Sequence, residues 1–189
     1  MLDEIEFIAL QEVHLKLMHH WFNQPHMQTF YSLRDWTLDE VKNKFLPYIQ
    51  QTQPVQGFLA YIDKKPIGYL QFVSIIDYPW PDQDLPLQAA QSAAGIDLFI
   101  GEAAYLHQGL GSKMLNQFLT KYIWLQYDYC CADPDVRNQI SQKLFEKCLF
   151  KQHKEIFTKD TLGNPVQLLL MMREKPNRKI YIKDQVKYE

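Results

Sequence analysis

Apolar residues recur along this chain at two periods, and the switch between them marks out its elements. Ile5 to Leu10 reads as a short strand. From Val13 to Phe22 the apolar positions Val13, Leu17, Met18 and Trp21 fall on one face of a helix, which Asn23-Gln24-Pro25 should end. Thr37 followed by Glu40 forms a capping box for a second helix, with Val41, Phe45, Leu46 and Ile49 along one side. Val55–Ile62 and Ile67–Ile76 are rich in aromatic and β-branched residues, and a turn at Asp63-Lys64-Lys65-Pro66 predicts an antiparallel hairpin. Gly95–Ile100 is the next strand. Gly109 then opens a helix through Met114, Leu115, Phe118, Leu119 and Ile123. A strand over Tyr127–Ala132, a short helix over Asn138–Lys147, and strands over Phe150–Phe157 and Val166–Met172 complete the pattern. Strand pairs first, then strands alternating with helices, predict an α/β fold of the mixed α+β kind. Its centre is one mixed, mostly antiparallel sheet flanked by helices.

At 189 residues the chain fits one domain, expected over 1–174, with a charged tail over 175–189. The formal net charge of −2 gives no reason to expect a nucleic-acid partner. No apolar stretch reaches the ~18 residues of a membrane span, and MLDEIEFIAL carries early acids rather than a secretory pattern. The expectation is a soluble, cytoplasmic protein with no membrane partner, either monomer or homodimer. Cys130, Cys131 and Cys148 have no framework spacing, and buried cysteines of this kind are inert small hydrophobes. His14, His19, His20 and His26 cluster in sequence without a convincing three-ligand set, so no metal is expected.

The most informative stretch is GIDLFIGEAAYLHQGLGSK, residues 95–113. A strand leads into a loop that delivers Gly109 and Gly111 at a helix start. There, backbone N–H groups and the helix dipole suit an anion such as a pyrophosphate, and Lys113 adds charge. The same glycines serve equally as a cap with a tight turn. The spacing is neither a P-loop nor a dinucleotide fingerprint.

Gly95-Ile96-Asp97 followed by Gly109-Leu110-Gly111-Ser112-Lys113 resembles the GNAT superfamily of N-acetyltransferases, and within it the aminoglycoside 6′-N-acetyltransferases. Supporting segments run in order: His20-Trp21-Phe22 with Gln24-Pro25-His26, Phe45-Leu46-Pro47, Lys65 to Tyr69, Asp133-Pro134 with Asn138, and Phe145-Glu146-Lys147. The likeness spans about residues 15–174. Siderophore-pathway and protein acetyltransferases share much of it.

The resemblance implies acetyl-CoA as cosubstrate, held by Leu98, Phe99 and Ile100 and by the loop His107, Gln108, Gly109, Leu110, Gly111 and Ser112. It places Asn138 near the pantetheine arm, where it can also cap its helix. Many relatives carry Arg or Gln where Leu106 stands, which leaves more of the anion binding to backbone amides. Asp97 matches the aspartate beside the attacking amine and is the expected catalytic base. Asp133 matches a second acid facing a cationic substrate, or is a turn residue before Pro134. Phe145 occupies the position where the aminoglycoside enzymes carry a tyrosine that protonates the CoA thiolate.

The acceptor side reads as charge plus aromatic rings. Residues 77–92 form a long loop holding Asp77, Tyr78, Trp80, Asp82 and Asp84, suited to a polycation or merely solvated. Trp21, Phe30, Tyr31 and Trp36 stand as an opposite wall or as core packing. The implied function is transfer of acetyl to a primary amine of a small cationic acceptor, an aminoglycoside first, by direct attack in a ternary complex. The alternatives are acetylation of a siderophore precursor or other amine or hydroxylamine, and a CoA-binding module that has lost catalysis.

Overall fold

The computed structural model describes residues 4–78 and 83–176. One seven-stranded sheet runs in the order β1-β2-β3-β4-β5-β7-β6. Its strands are β1 (Glu6–Ala9), β2 (Val55–Ile62), β3 (Lys65–Ser74), β4 (Ala93–Ile100), β5 (Tyr129–Ala132), β6 (Lys151–Lys159) and β7 (Pro165–Glu174). Every pairing is antiparallel except β4 with β5. The helices are α1 (Leu15–Phe22), α2 (Pro25–Gln28), α3 (Leu38–Ile49), α4 (Leu87–Gln91), α5 (Leu110–Lys121) and α6 (Gln139–Lys147). The mixed, mostly antiparallel sheet flanked by helices is the architecture that the pattern predicts.

Two-residue alternation sorts each strand between two cores. On β3, Leu70 and Phe72 face α5, where they meet Met114, Leu115, Phe118 and Leu119. Tyr69 faces the other way, toward Trp21 and Phe22 of α1 and Val41 and Phe45 of α3. The Thr37 capping box forms as expected: the hydroxyl accepts from the Glu40 N–H at 3.2 Å, and the Glu40 carboxylate accepts from the Thr37 N–H at 2.8 Å.

Local differences have local causes. Pro25 ends α1 but also stands at the first position of α2, where its missing N–H costs nothing. The β2–β3 turn is tighter than the four residues expected. Asp63 and Lys64 alone take positive φ (48° and 64°), so Lys65 and Pro66 already belong to β3. The stretch expected as one loop from 77 to 92 contains α4. Of the expected tail, residues 177–189 lie outside the described residues.

Candidate active site

The one parallel pairing is also where the sheet comes apart. β4 and β5 are in register only over Ala93–Tyr129, Ala94–Cys130 and Gly95–Cys131. Past Gly95, β4 stays with β3 as far as the Gly68–Ile100 pair. Past Ala132, the chain stays with β7: the Leu169 N–H donates to the Pro134 carbonyl at 2.9 Å and the Val136 N–H to the Gln167 carbonyl at 3.0 Å. Each strand keeps its outer partner, so the two diverge and open a wedge. The β5-facing edge of β4 beyond Gly95 meets no strand among the described residues.

Register then fixes the chemistry at the wedge. Gly95 and Cys131 are partners, so Asp97 and Asp133 each lie two residues further on, at one level and on one face. A cavity of about 200 Å³ on this face is lined by Asp97, Asp133, Cys131, Gln71, Tyr48 and Gln83, among others. Asp97 is accessible to water yet sits in a concavity with protein around it. Burial raises its carboxyl above the usual range, while the Gln71 amide N–H and the charge of Lys44 act to lower it. Asp133 is pushed up to about 7, first by burial and then by the charge of Asp97. Two carboxyls that repel each other in this way titrate as a pair, one giving up its proton only near neutrality.

Other groups complete the cavity. Gln83 is 6% exposed, and its side-chain carbonyl has no hydrogen-bond partner among the described residues. A buried, unpaired acceptor beside two carboxyls favours a ligand rich in N–H donors. Lys44 stands 5.6 Å from the Phe45 ring centroid, with its ammonium pKa lowered by burial against the opposing pull of Asp97. The Cys131 thiol is pushed up to about 12 by burial and by Asp133. A thiol held protonated is a poor nucleophile.

On the α5 side, Gly109 caps the helix at φ 74° and a Cβ there would meet nothing within 4 Å, so its conformation rather than its neighbours calls for glycine. His107 also has positive φ (60°). The backbone N–H groups of Gln108 to Ser112 have no acceptor among the described residues. This is the donor array an anion needs. Gly111 serves packing: a Cβ there would stand 2.6 Å from Leu144 Cδ1 of α6.

The remaining expected residues divide. Leu98 and Leu110 pack their side chains on the α5 core, and Phe99 is buried with Trp21, Phe22, Tyr31 and Tyr69, so any contact of Phe99 with a ligand is through its backbone. The Ile100 carbonyl accepts from His26 Nε2 at 3.0 Å. The Gln108 side chain donates to the Ala104 carbonyl at 2.6 Å, and the Ser112 carbonyl accepts from Asn116 at 3.0 Å. Asn138 caps α6, accepting from the Ser141 N–H at 3.1 Å. Phe145 is 4% exposed, edge-on to Phe150 at 5.1 Å.

Trp21 is corrected. It is fully buried, edge-on to Phe99 at 6.0 Å, and its indole N–H donates to Glu102 at 2.8 Å, so it supports the core rather than lining the cleft. Asp77 is exposed after β3 and does not line the cavity. Asp84 pairs with Lys154 at 3.8 Å. Trp80 and Asp82 lie outside the described residues. Sequence reasoning passed over Gln71, Tyr48, Gln83 and Lys44. Gln71 alone left a signal, as the polar interruption of the apolar run in β3.

The chain has known relatives. The acetyltransferase (GNAT) domain family matches residues 11–158. The aminoglycoside N(6′)-acetyltransferase type 1 of Klebsiella pneumoniae is 24% identical over 165 residues, covering 84% of this chain and 79% of that protein. Among solved structures, AAC(6′)-Ib in complex with paromomycin and acetyl-CoA shares the fold with TM-score 0.76 at 22% identity, over 92% of this chain and 94% of that one. The spermidine N-acetyltransferase of Vibrio cholerae, in complex with CoA and spermine, follows with TM-score 0.71 at 16% identity, over 90% of this chain and 95% of that one. The chain belongs to the GNAT acetyltransferase family. It is an acetyl-CoA-dependent N-acetyltransferase.

Proposed function

We propose that this enzyme acetylates a primary amine of a small polycationic acceptor, an aminoglycoside 6′-amine being the leading case. The observation that carries the reading is the pair Asp97 and Asp133, set at one level on the two lips of the split sheet, with the Gln83 carbonyl, unpaired among the described residues, in the same cavity. Three oxygen-bearing side chains suit an acceptor with several N–H donors. Bound acetyl-CoA supplies the thioester; the β4 edge at Leu98 to Ile100 and the amides of Gln108 to Ser112 would hold it. From the other face the acceptor amine reaches the wedge. Asp97 takes the proton as the amine nitrogen bonds to the acyl carbon, and the carbon–sulfur bond breaks to release CoA thiolate. Both substrates are present at once, and Cys131 takes no part. Water, or the Ser141 hydroxyl, then protonates the thiolate, because Phe145 has no proton to give.

Lys44 favours a second reading. A half-buried ammonium near Asp97 suits an acceptor that carries a carboxylate beside its amine, as some siderophore precursors do. Steady-state thiol release over a panel of aminoglycosides, polyamines, amino acids and hydroxylamines separates the two. The leading reading expects highest kcat/KM among aminoglycosides and a KM that rises with salt, since screening is strong beyond ~8 Å at physiological ionic strength. Preference for a zwitterionic acceptor, lost in Lys44→Gln, would establish the second. Tight acetyl-CoA binding with no turnover on any acceptor would establish lost catalysis.

A further inference from the structure

Asp97 is held by a chain of side chains that begins on the neighbouring strand. Gln71 and Asp97 are cross-strand partners of β3 and β4. Gln71 Nε2 donates to Asp97 Oδ2 at 2.8 Å. Tyr69, two residues earlier and on the same face, donates its hydroxyl to Gln71 Oε1 at 3.0 Å. The Tyr69 ring is fully buried between Phe45 at 5.6 Å and Phe99 at 5.5 Å. Its hydroxyl lies against Gly57 of β2, the cross-strand partner of Gln71, where a Cβ would stand 2.4 Å from the oxygen. Only glycine leaves that space.

We propose that Gln71 is a positioning residue for Asp97, and that Tyr69, seated on Gly57, sets the Gln71 amide so that its N–H rather than its carbonyl faces the carboxylate. The inference rests on the reading of Asp97 as the base. An ionised carboxylate only accepts hydrogen bonds, so an amide turned the other way would set oxygen against oxygen. The Tyr69 hydroxyl, donating to Oε1, opposes that turn. The consequence is an Asp97 oxygen fixed in direction and favoured in its ionised, proton-accepting form. The other charged or titratable groups acting on Asp97 are Lys44 and Tyr48 of α3, Tyr31 after α2, and Asp133 after β5. None of them is changed by substitutions in the Tyr69–Gln71 chain.

The test uses Gln71→Leu, Tyr69→Phe and the double variant, each checked for folding by its thermal transition. Two readouts are taken: steady-state kinetics across pH, and the ¹³C titration of the Asp97 carboxyl, assigned by its loss in Asp97→Asn. Gln71→Leu should lower kcat about tenfold, leave the acetyl-CoA KM within about twofold, and move the Asp97 midpoint up by about one unit, as loss of a bond to the charged form requires. Tyr69→Phe should act in the same direction by less. Adding it to Gln71→Leu should do nothing further, because it acts through that residue. If Tyr69→Phe does not fold, Gly57→Ala displaces the same hydroxyl and stands in for it. An Asp97 titration unmoved by Gln71→Leu, or effects of the two variants that simply add, overturns the proposal. Should the wild type transfer acetyl to no acceptor, the carboxyl titration alone decides. A shifted midpoint then upholds the relay while the proposed function falls.

Discussion

The two sides of the split sheet are built by opposite means. On the α5 side the groups left free are backbone N–H donors, from Gln108 to Ser112, among the described residues, and the side chains there mostly pack or cap. On the α1–α3 side the polar groups that line the cavity are side chains, Asp97, Asp133, Gln83 and Gln71, contributed by separate segments of the chain. Backbone donors offer the same array whatever the residue, which suits a constant cosubstrate. Side chains can be exchanged one by one, which suits an acceptor that differs between enzymes of one fold. The difference implies that single substitutions on the two sides should separate cleanly, one in acetyl-CoA affinity and the other in turnover and acceptor choice.

The largest separation is expected at Asp97. Asp97→Asn keeps the size and the Gln71 neighbour but cannot take a proton. Turnover should fall by ~10²–10⁴-fold while acetyl-CoA affinity, measured by calorimetry, stays put. Turnover within threefold of wild type would remove Asp97 as base.

The α5 side is broken by backbone conformation. Gly109→Val forces a β-branched residue to φ near 74°, and should weaken acetyl-CoA binding by about tenfold, the equivalent of ~1.4 kcal/mol. Gly111→Val sharpens the point. Its place beside the free N–H groups predicts weaker acetyl-CoA binding, and the contact with Leu144 predicts a lowered thermal transition as well, by several degrees for ~1–3 kcal/mol of overpacking. Leu144→Ala in the same chain should restore part of it. A loss of affinity at Gly111 with an unchanged transition would show that the space beside Leu144 is not limiting.

A smaller, opposite change is expected at Phe145. The ring is already buried edge-on to Phe150. Phe145→Tyr supplies a proton for the departing thiolate and should raise kcat several-fold, read as thiol release at saturating acetyl-CoA. The gain is limited because a thiol of reference pKa ~8.5 leaves tolerably as thiolate. An unchanged rate would show that another group already donates.

The subtlest expected effect is on pH dependence. The folded-state pKa of Asp133 is raised to about 7 from 3.8, so the folded protein holds more protons than the unfolded chain in that window. Stability therefore falls as pH rises from about 4 to about 7, and Asp133→Asn should flatten that fall, leaving the variant a few degrees more stable than wild type at pH 8 but not at pH 4. It also removes a like charge from Asp97, so the acidic limb of the rate profile should move to lower pH. A limb that stays in place would uncouple the two carboxyls.

How much of this was legible in the sequence follows the same division. The capping box at Thr37, the hairpin, the glycine cap at Gly109 and the Asn138 cap are local matters of backbone conformation, and each was readable from a few adjacent residues. Asp97 and Asp133 came from a family likeness rather than from spacing. Trp21 was misplaced as a possible cleft wall because an aromatic on an amphipathic helix looks the same whether it faces a cleft or the core. Gln83 escaped notice because a glutamine in a loop carries no signal until its neighbours are known, and Gln71 left only a polar interruption in an apolar run.

By itself, then, the chain determined its elements and the strand–loop–helix that offers N–H groups to an anion, since periodicity and capping act within a few residues. Only the tertiary structure decided where the cavity between β4 and β5 lies. The wedge exists because β4 keeps β3 and β5 keeps β7 once their own pairing ends at Gly95 and Cys131. The two carboxyls line one cavity because each lies two residues beyond that point. A pKa near 7, a buried Gln83 carbonyl without a partner among the described residues and a Gln71 amide set against Asp97 of the neighbouring strand all depend on residues from separate segments, which only packing brings together.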